Sequence, residues 1–180
     1  MTRVARSTFA VVVALSCSSS VFAQDSKSAP LARQLAAALD AGSLDSIAAQ
    51  DPSAPNAFVA ALYFKGLQIL VVSGRYSVPQ LLTERIAKKE YRDVYLDVNG
   101  ASAPDSKIFI EDPGIDGLKA KREENQPFDS VEIGGKRTLF NNDWKGQKLS
   151  EQEYMKAFAA ADDRYAQLLT ALLSQLKPKS

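Results

Sequence analysis

The stretch from Ser150 to Leu176, SEQEYMKAFAAADDRYAQLLTALLSQL, limits the fold more than any other part of the chain. Ser150 and Glu153 stand three residues apart, the spacing of a capping box in which each side chain bonds the other's backbone N–H. Behind them Tyr154, Phe158, Ala161, Tyr165, Leu168, Leu169, Leu172, Leu173 and Leu176 recur on one face of a helix. An apolar stripe of that length cannot face water. It predicts a buried rod on which the preceding strands are seated.

The elements upstream follow from their periods. Pro30 fits the first turn of a helix running to Ala41, with Leu31, Leu35, Ala38 and Leu39 on one side and Gly42 ending it. Leu44 to Ala49 reads as a short turn of helix, and DPSAPN (residues 51–56) as a breaker. AFVAALYFKGLQILVV (residues 57–72) reads as a buried helix, although its β-branched tail fits a strand equally well. Ser77 and Pro79 open a further helix to Glu90. From Val94 the period changes from 3.6 to 2. Strands are expected at 94–98, 107–111, 128–133 and 136–140, the last two joined by Gly134-Gly135. Short strands in succession favour antiparallel pairing, because parallel neighbours need long crossovers. The expected fold is therefore α+β: a small antiparallel sheet of about four strands against N-terminal helices and a long C-terminal helix. In element order alone it resembles small extracytoplasmic sensor modules of the PAS-like kind.

Residues 1–23 stand apart from this domain. Arg3 and Arg6 precede the apolar run Phe9–Leu15, and Ala23 supplies a small residue before Gln24. This pattern is that of a secretory signal peptide, and it is too short for a membrane span. Cys17 raises a lipoprotein signal as an alternative, but Ala14 stands where a leucine-like residue is usual. The expectation is one exported domain, residues 24–180, periplasmic or secreted, with no membrane span once the signal is removed. Without Arg3 and Arg6 the 22 basic residues fall to 20 against 21 acidic ones, a net charge of −1. Such a balance steers the chain toward neither nucleic acid nor anionic membrane. The sole cysteine lies in the signal, so the exported domain has no disulfide. The chain has no histidine, which removes the commonest metal ligand and the commonest general base.

Four groups of residues carry candidate chemistry. Asp97, Asn99, Glu111, Asp112 and Asp116 lie in DVNG and EDPGIDG, where hard oxygens at flexible spacing suit calcium. Turn chemistry explains the same residues, and no other cofactor is implied. Lys121 and Arg122 lie in a polar excursion, residues 114–127, longer than a hairpin requires and suited to contacts with a partner. Trp144, the only tryptophan, sits in a polar loop before the last helix, either as an interface anchor or as a cap on the bundle. Tyr76, Tyr91 and Tyr95 cluster in sequence and suit the rim of a small pocket. The chain lacks the G-x-S-x-G elbow, the Walker loop and the dinucleotide fingerprint. Three function classes remain. The leading one is a non-catalytic exported module that binds another protein, as an accessory, adaptor or inhibitor. The second is a small-ligand-binding or sensor-like domain. The third is a hydrolase built from carboxylate, Ser or Lys groups.

Overall fold

The computed structural model describes residues 26–55, 57–75, 108–121 and 127–176. Helix α1 (Ser28–Ala41) is followed by strands β1 (Ser46–Gln50), β2 (Ala57–Phe64), β3 (Gln68–Arg75), β4 (Ile108–Pro113), β5 (Asp129–Ile133) and β6 (Lys136–Phe140). Helix α2 (Glu151–Leu176) closes the described chain. The strands form one six-stranded antiparallel sheet in the order β1-β2-β3-β4-β5-β6. Both helices lie on one face, packed on each other, with α2 over β1 and β2. Among the described residues no helix is long and apolar enough to cross a membrane.

The long C-terminal helix forms where the stripe requires it. Ser150 Oγ accepts the Glu153 N–H at 3.2 Å, and a Glu153 carboxylate oxygen accepts the Ser150 N–H at 2.8 Å, which completes the capping box. The Ser150 N–H and the Ser150 hydroxyl, both donating to the Glu153 carboxylate, hold that carboxyl below its ordinary range. Tyr165, Leu168, Leu169 and Leu172 of α2 are fully enclosed. They meet Leu35 and Leu39 of α1 and Val59, Ile69, Val71 and Ile110 of the sheet in one apolar cluster. At the other end of α2, the Phe140 ring stands edge-on to Tyr154 and Phe158, with centroids 5.6 and 5.3 Å away. The Gly134-Gly135 turn has φ of 57° and 77°, the paired positive angles of the tight hairpin its sequence predicts.

The strand count of about four and the expected set of N-terminal helices need correction. The segment 57–72 is not a helix but the β2–β3 hairpin, turning at Lys65-Gly66-Leu67 with Gly66 at φ 70°. On its helix side Val59, Ala61, Ile69 and Val71 join the main core, while Ala60, Leu62, Leu70 and Val72 form a second buried cluster on the opposite side. A strand buried on both faces has no polar alternation, so its sequence reads as one continuous apolar block. Leu44 to Ala49 is likewise not helical. Ser46–Gln50 is an edge strand whose conformation is set by pairing with β2 rather than by intrinsic preference. The helix expected at 77–90 and the strand at 94–98 lie outside the described residues.

A buried carboxyl cluster and a candidate binding cleft

Strand alternation separates the two acids that end β4. Glu111 points to the face away from the helices, where it accepts from Ser130 Oγ at 2.6 Å and pairs with Arg137. Asp112 points to the helix side and has no exposed surface. Pairing of Glu111 with Ser130 across β4 and β5 sets Asp112 opposite Asp129, which is itself 5% exposed. After Pro113 the chain doubles back through Gly114, Ile115 and Gly117, all at positive φ. The turn aims the N–H groups of Asp116 and Gly117 at the Asp112 carboxylate, at 3.2 and 3.1 Å. Gly117 is required there twice over. Its φ is 78°, and a Cβ would lie 2.3 Å from the Ala29 nitrogen of α1.

Carboxylate oxygens of Asp112, Asp116 and Asp129 all lie within 4.8 Å of one another. Tyr165, fully enclosed on α2, donates its hydroxyl to Asp112 at 3.0 Å. The Lys119 N–H donates to Asp129 at 2.8 Å, and the Lys119 ammonium pairs with Asp116 at 2.5 Å. Burial pushes Asp112 up to about 6, against the bonds from Tyr165, Asp116 and Gly117. Burial likewise pushes Asp129 up to about 8, with the negative charges of Asp112 and Asp116 adding to it. Burial and the Asp112 charge raise the Tyr165 hydroxyl well above its usual range. At neutral pH the cluster is thus held together by a proton on Asp129, by Lys119 and by a set of N–H and O–H donors.

Two further buried acids tie α2 to the rest of the molecule. Asp162 accepts the Lys27 N–H at 2.7 Å and the Ser28 N–H at 3.1 Å, and also the hydroxyls of Ser26 and Ser28, each at 2.6 Å. It caps the start of α1, which has no side-chain cap of its own. Ser28 Oγ in turn accepts the Leu118 N–H at 2.9 Å. Asp51 accepts from Ser73 Oγ, from the Ser53 N–H at 2.9 Å and from the Arg164 guanidinium at 2.6 Å. Burial alone would raise Asp51, but Arg164, Ser73 and Ser53 together hold it below the ordinary carboxylate range.

A different surface forms at the amino end of α2. Residues 141–149 make a compact turn. Asn141 Oδ1 accepts the Asp143 N–H at 3.0 Å, Asp143 Oδ1 accepts the Gly146 N–H at 2.9 Å, and Leu149 N–H reaches the Trp144 carbonyl at 3.1 Å. This turn sets Trp144 partly against the main core, with Lys145 Nζ 5.2 Å from its ring centroid. Beside it opens a cleft of about 270 Å³ lined by Lys121, Asn142, Trp144, Glu151, Tyr154 and Met155. Tyr154 is a fixed wall. Its hydroxyl donates to the Leu139 carbonyl at 3.1 Å and accepts the Asn141 N–H at 2.9 Å.

No protein-family model, no curated protein and no solved structure matches this chain. The chemistry of the two places has to be read from their side chains. Of the residues singled out for binding, Trp144 and Lys121 meet in the cleft, whereas Arg122, Tyr76, Tyr91 and Tyr95 lie outside the described residues. Of the cation candidates, Asp112 and Asp116 come together, Glu111 faces away, and Asp97 and Asn99 lie outside the described residues. Asp129 was not singled out by sequence, because its place beside Asp112 depends on strand register. Glu151 and Met155 were also missed. Their signal was the turn of helix directly after the capping serine, which faces back over the Trp144 loop.

Proposed function

We propose that this chain is an exported, non-catalytic module that binds another protein, holding a side chain of that partner in the cleft beside Trp144. The cleft itself carries the reading. It joins an indole face and the thioether of Met155 to charges of opposite sign on Lys121 and Glu151. A half-buried tryptophan with polar neighbours is the usual anchor of a protein interface, and paired opposite charges select orientation. At about 270 Å³ the cleft falls just below the volumes of roughly 300–1,000 Å³ typical of small-molecule pockets. It suits one large side chain better than a free ligand. The leader at residues 1–23 supports export.

The buried carboxyls favour a structural role over a hydrolytic one. Asp112 is wholly enclosed and Asp129 nearly so, which leaves a substrate no access to them. Trp144 is the sole tryptophan, so its fluorescence reports on the cleft alone. The test is a pull-down from extracts of the source cells with the wild type and with Trp144→Ala, followed by fluorescence titration of any protein recovered. The partner should shift Trp144 emission, and its affinity should fall by about thirtyfold or more in the variant, as for an interface anchor worth about 2 kcal/mol. Equal recovery by both proteins would overturn the reading.

A further inference from the structure

The middle of the sheet is buried on both faces, although both helices of the described residues lie on one of them. On the opposite face the cross-strand pairs Leu62–Leu70 and Ala60–Val72 of β2 and β3 are 1%, 8%, 2% and 4% exposed, residue by residue. Neighbouring strands cannot do this alone, because side chains stand out from a pleated sheet and solvent reaches them from above. Further chain therefore lies over these four residues. Its footprint is narrow. Ala48 of β1 and Phe109 of β4, on either side, are only half-buried, and past β4 the same face turns polar with Glu111, Ser130 and Arg137. Two strands make a strip about 10 Å wide, close to the diameter of one α-helix.

The connection between β3 and β4 supplies such a helix at the right end of the strip. β3 ends at Arg75, β4 begins at Ile108, and Ser73 pairs with Ile108, so the chain leaves and re-enters the sheet at one end. A tight turn is enough to join antiparallel neighbours, yet residues 76–107 intervene. They have to cross one face, and α1 and α2 already fill the other. Two residues after β3, Ser77 and Pro79 open the helix that the sequence predicts to Glu90. Val78, Leu82 and Ile86 stand four apart in one row along it, with Leu81 beside them and Gln80 and Glu84 on the far side. At 1.5 Å per residue a helix over 77–90 is about 21 Å long, against about 26 Å for an eight-residue strand.

We propose that residues 77–90 dock as a helix along β2 and β3 on this second face, with Val78, Leu82 and Ile86 against Leu62, Leu70 and Val72. The sheet is then the middle of three layers. Its second face is filled from within the chain and is not offered to a partner or to a second copy.

Thiol chemistry tests this, because Cys17 is the only cysteine and Cys17→Ser clears the background in the full chain. Val72→Cys is combined with a cysteine at Val78, Leu82 or Ile86, and the protein is oxidised. At least one pair should close within the chain at least tenfold more than the matching pair made with Val71→Cys, which faces the helices. Closure no better than from Val71 would overturn the proposal. So would preferred closure of Val72→Cys with Val12→Cys in the leader, or a disulfide between Val72→Cys of two copies. A second measurement needs no bridge. In single-cysteine proteins, Leu82→Ala with Ile86→Ala should speed alkylation of Val72→Cys by about tenfold or more and leave Val71→Cys as protected as before. An unchanged rate at Val72→Cys, or an equal rise at both thiols, would likewise overturn it.

Discussion

Replacing Asp129 with asparagine should stabilise the protein strongly at pH 8, much less at pH 5, and leave it almost unchanged below pH 4. Asp129 sits beside Asp112 and Asp116 with carboxylate oxygens inside 4.8 Å. Two full charges at that distance repel by about 3 kcal/mol at an effective dielectric constant near 20. The folded state avoids this by keeping a proton on Asp129, whose pKa is pushed from 3.8 up to about 8. The unfolded chain releases that proton near pH 4. Below pH 4 both states carry it and the contribution to stability is intact. As pH rises from 4 toward 8 the folded state alone retains it, so stability falls by about 1.4 kcal/mol per pH unit. Between pH 5 and pH 8 the loss is on the order of 4 kcal/mol from Asp129. Asp112, raised to about 6, adds a smaller loss confined to the lower part of the window. Asp51, held below its ordinary range, titrates under the window and leaves the slope alone. An asparagine keeps an oxygen for the Lys119 N–H and supplies its own donor to the neighbouring carboxylates, so it needs no proton. Urea unfolding at pH 5, 6, 7 and 8 measures this. With a slope of about 2 kcal/mol per molar urea, the wild-type midpoint should drop by about 2 M over the range, while the variant's should level off above pH 6. A level wild-type curve, or a variant that falls in parallel with it, would falsify the account of the cluster.

Leu172→Ala should cost about 2–5 kcal/mol in urea unfolding, because its side chain has no exposed surface in the core; a loss well under 1 kcal/mol would place α2 at the periphery. Arg164→Ala should cost about 3–5 kcal/mol near neutral pH, since it strands the charge of Asp51, whose side chain is 1% exposed. The wild-type benefit from Asp51 is present above the unfolded pKa and lost as pH falls through its lowered folded value. The two proteins should therefore converge in stability on acidification, and a constant difference down to pH 2 would contradict the ion pair.

The parts of the fold that local chemistry dictates could be read directly. The Ser150–Glu153 cap, the stripe behind it and the Gly134-Gly135 hairpin each follow from a side chain or backbone requirement satisfied within a few residues. What escaped was set by distant partners. β1 is a strand because β2 lies beside it, and alanine-rich SIAAQ has little preference of its own. β2 and β3 lost their alternation because both faces are buried. The candidate sites divide in the same way. Trp144 and Lys121 stood out singly, but their meeting depends on where the loop after β4 returns. Asp129 became part of the carboxyl cluster only through the β4–β5 register, which no short window of residues contains.

The cap on α1 carries a consequence for the order of events during synthesis. The N–H groups that open this helix bond to Asp162, 134 and 135 positions further along the chain. A ribosome delivers the donors long before it delivers the acceptor. Until then the first helix has an unfinished start and little reason to persist, since short helices without tertiary support are marginal in water. The amino-terminal segment should therefore stay loose while the chain elongates and lock only when its last helix arrives, an order compatible with the export proposed above.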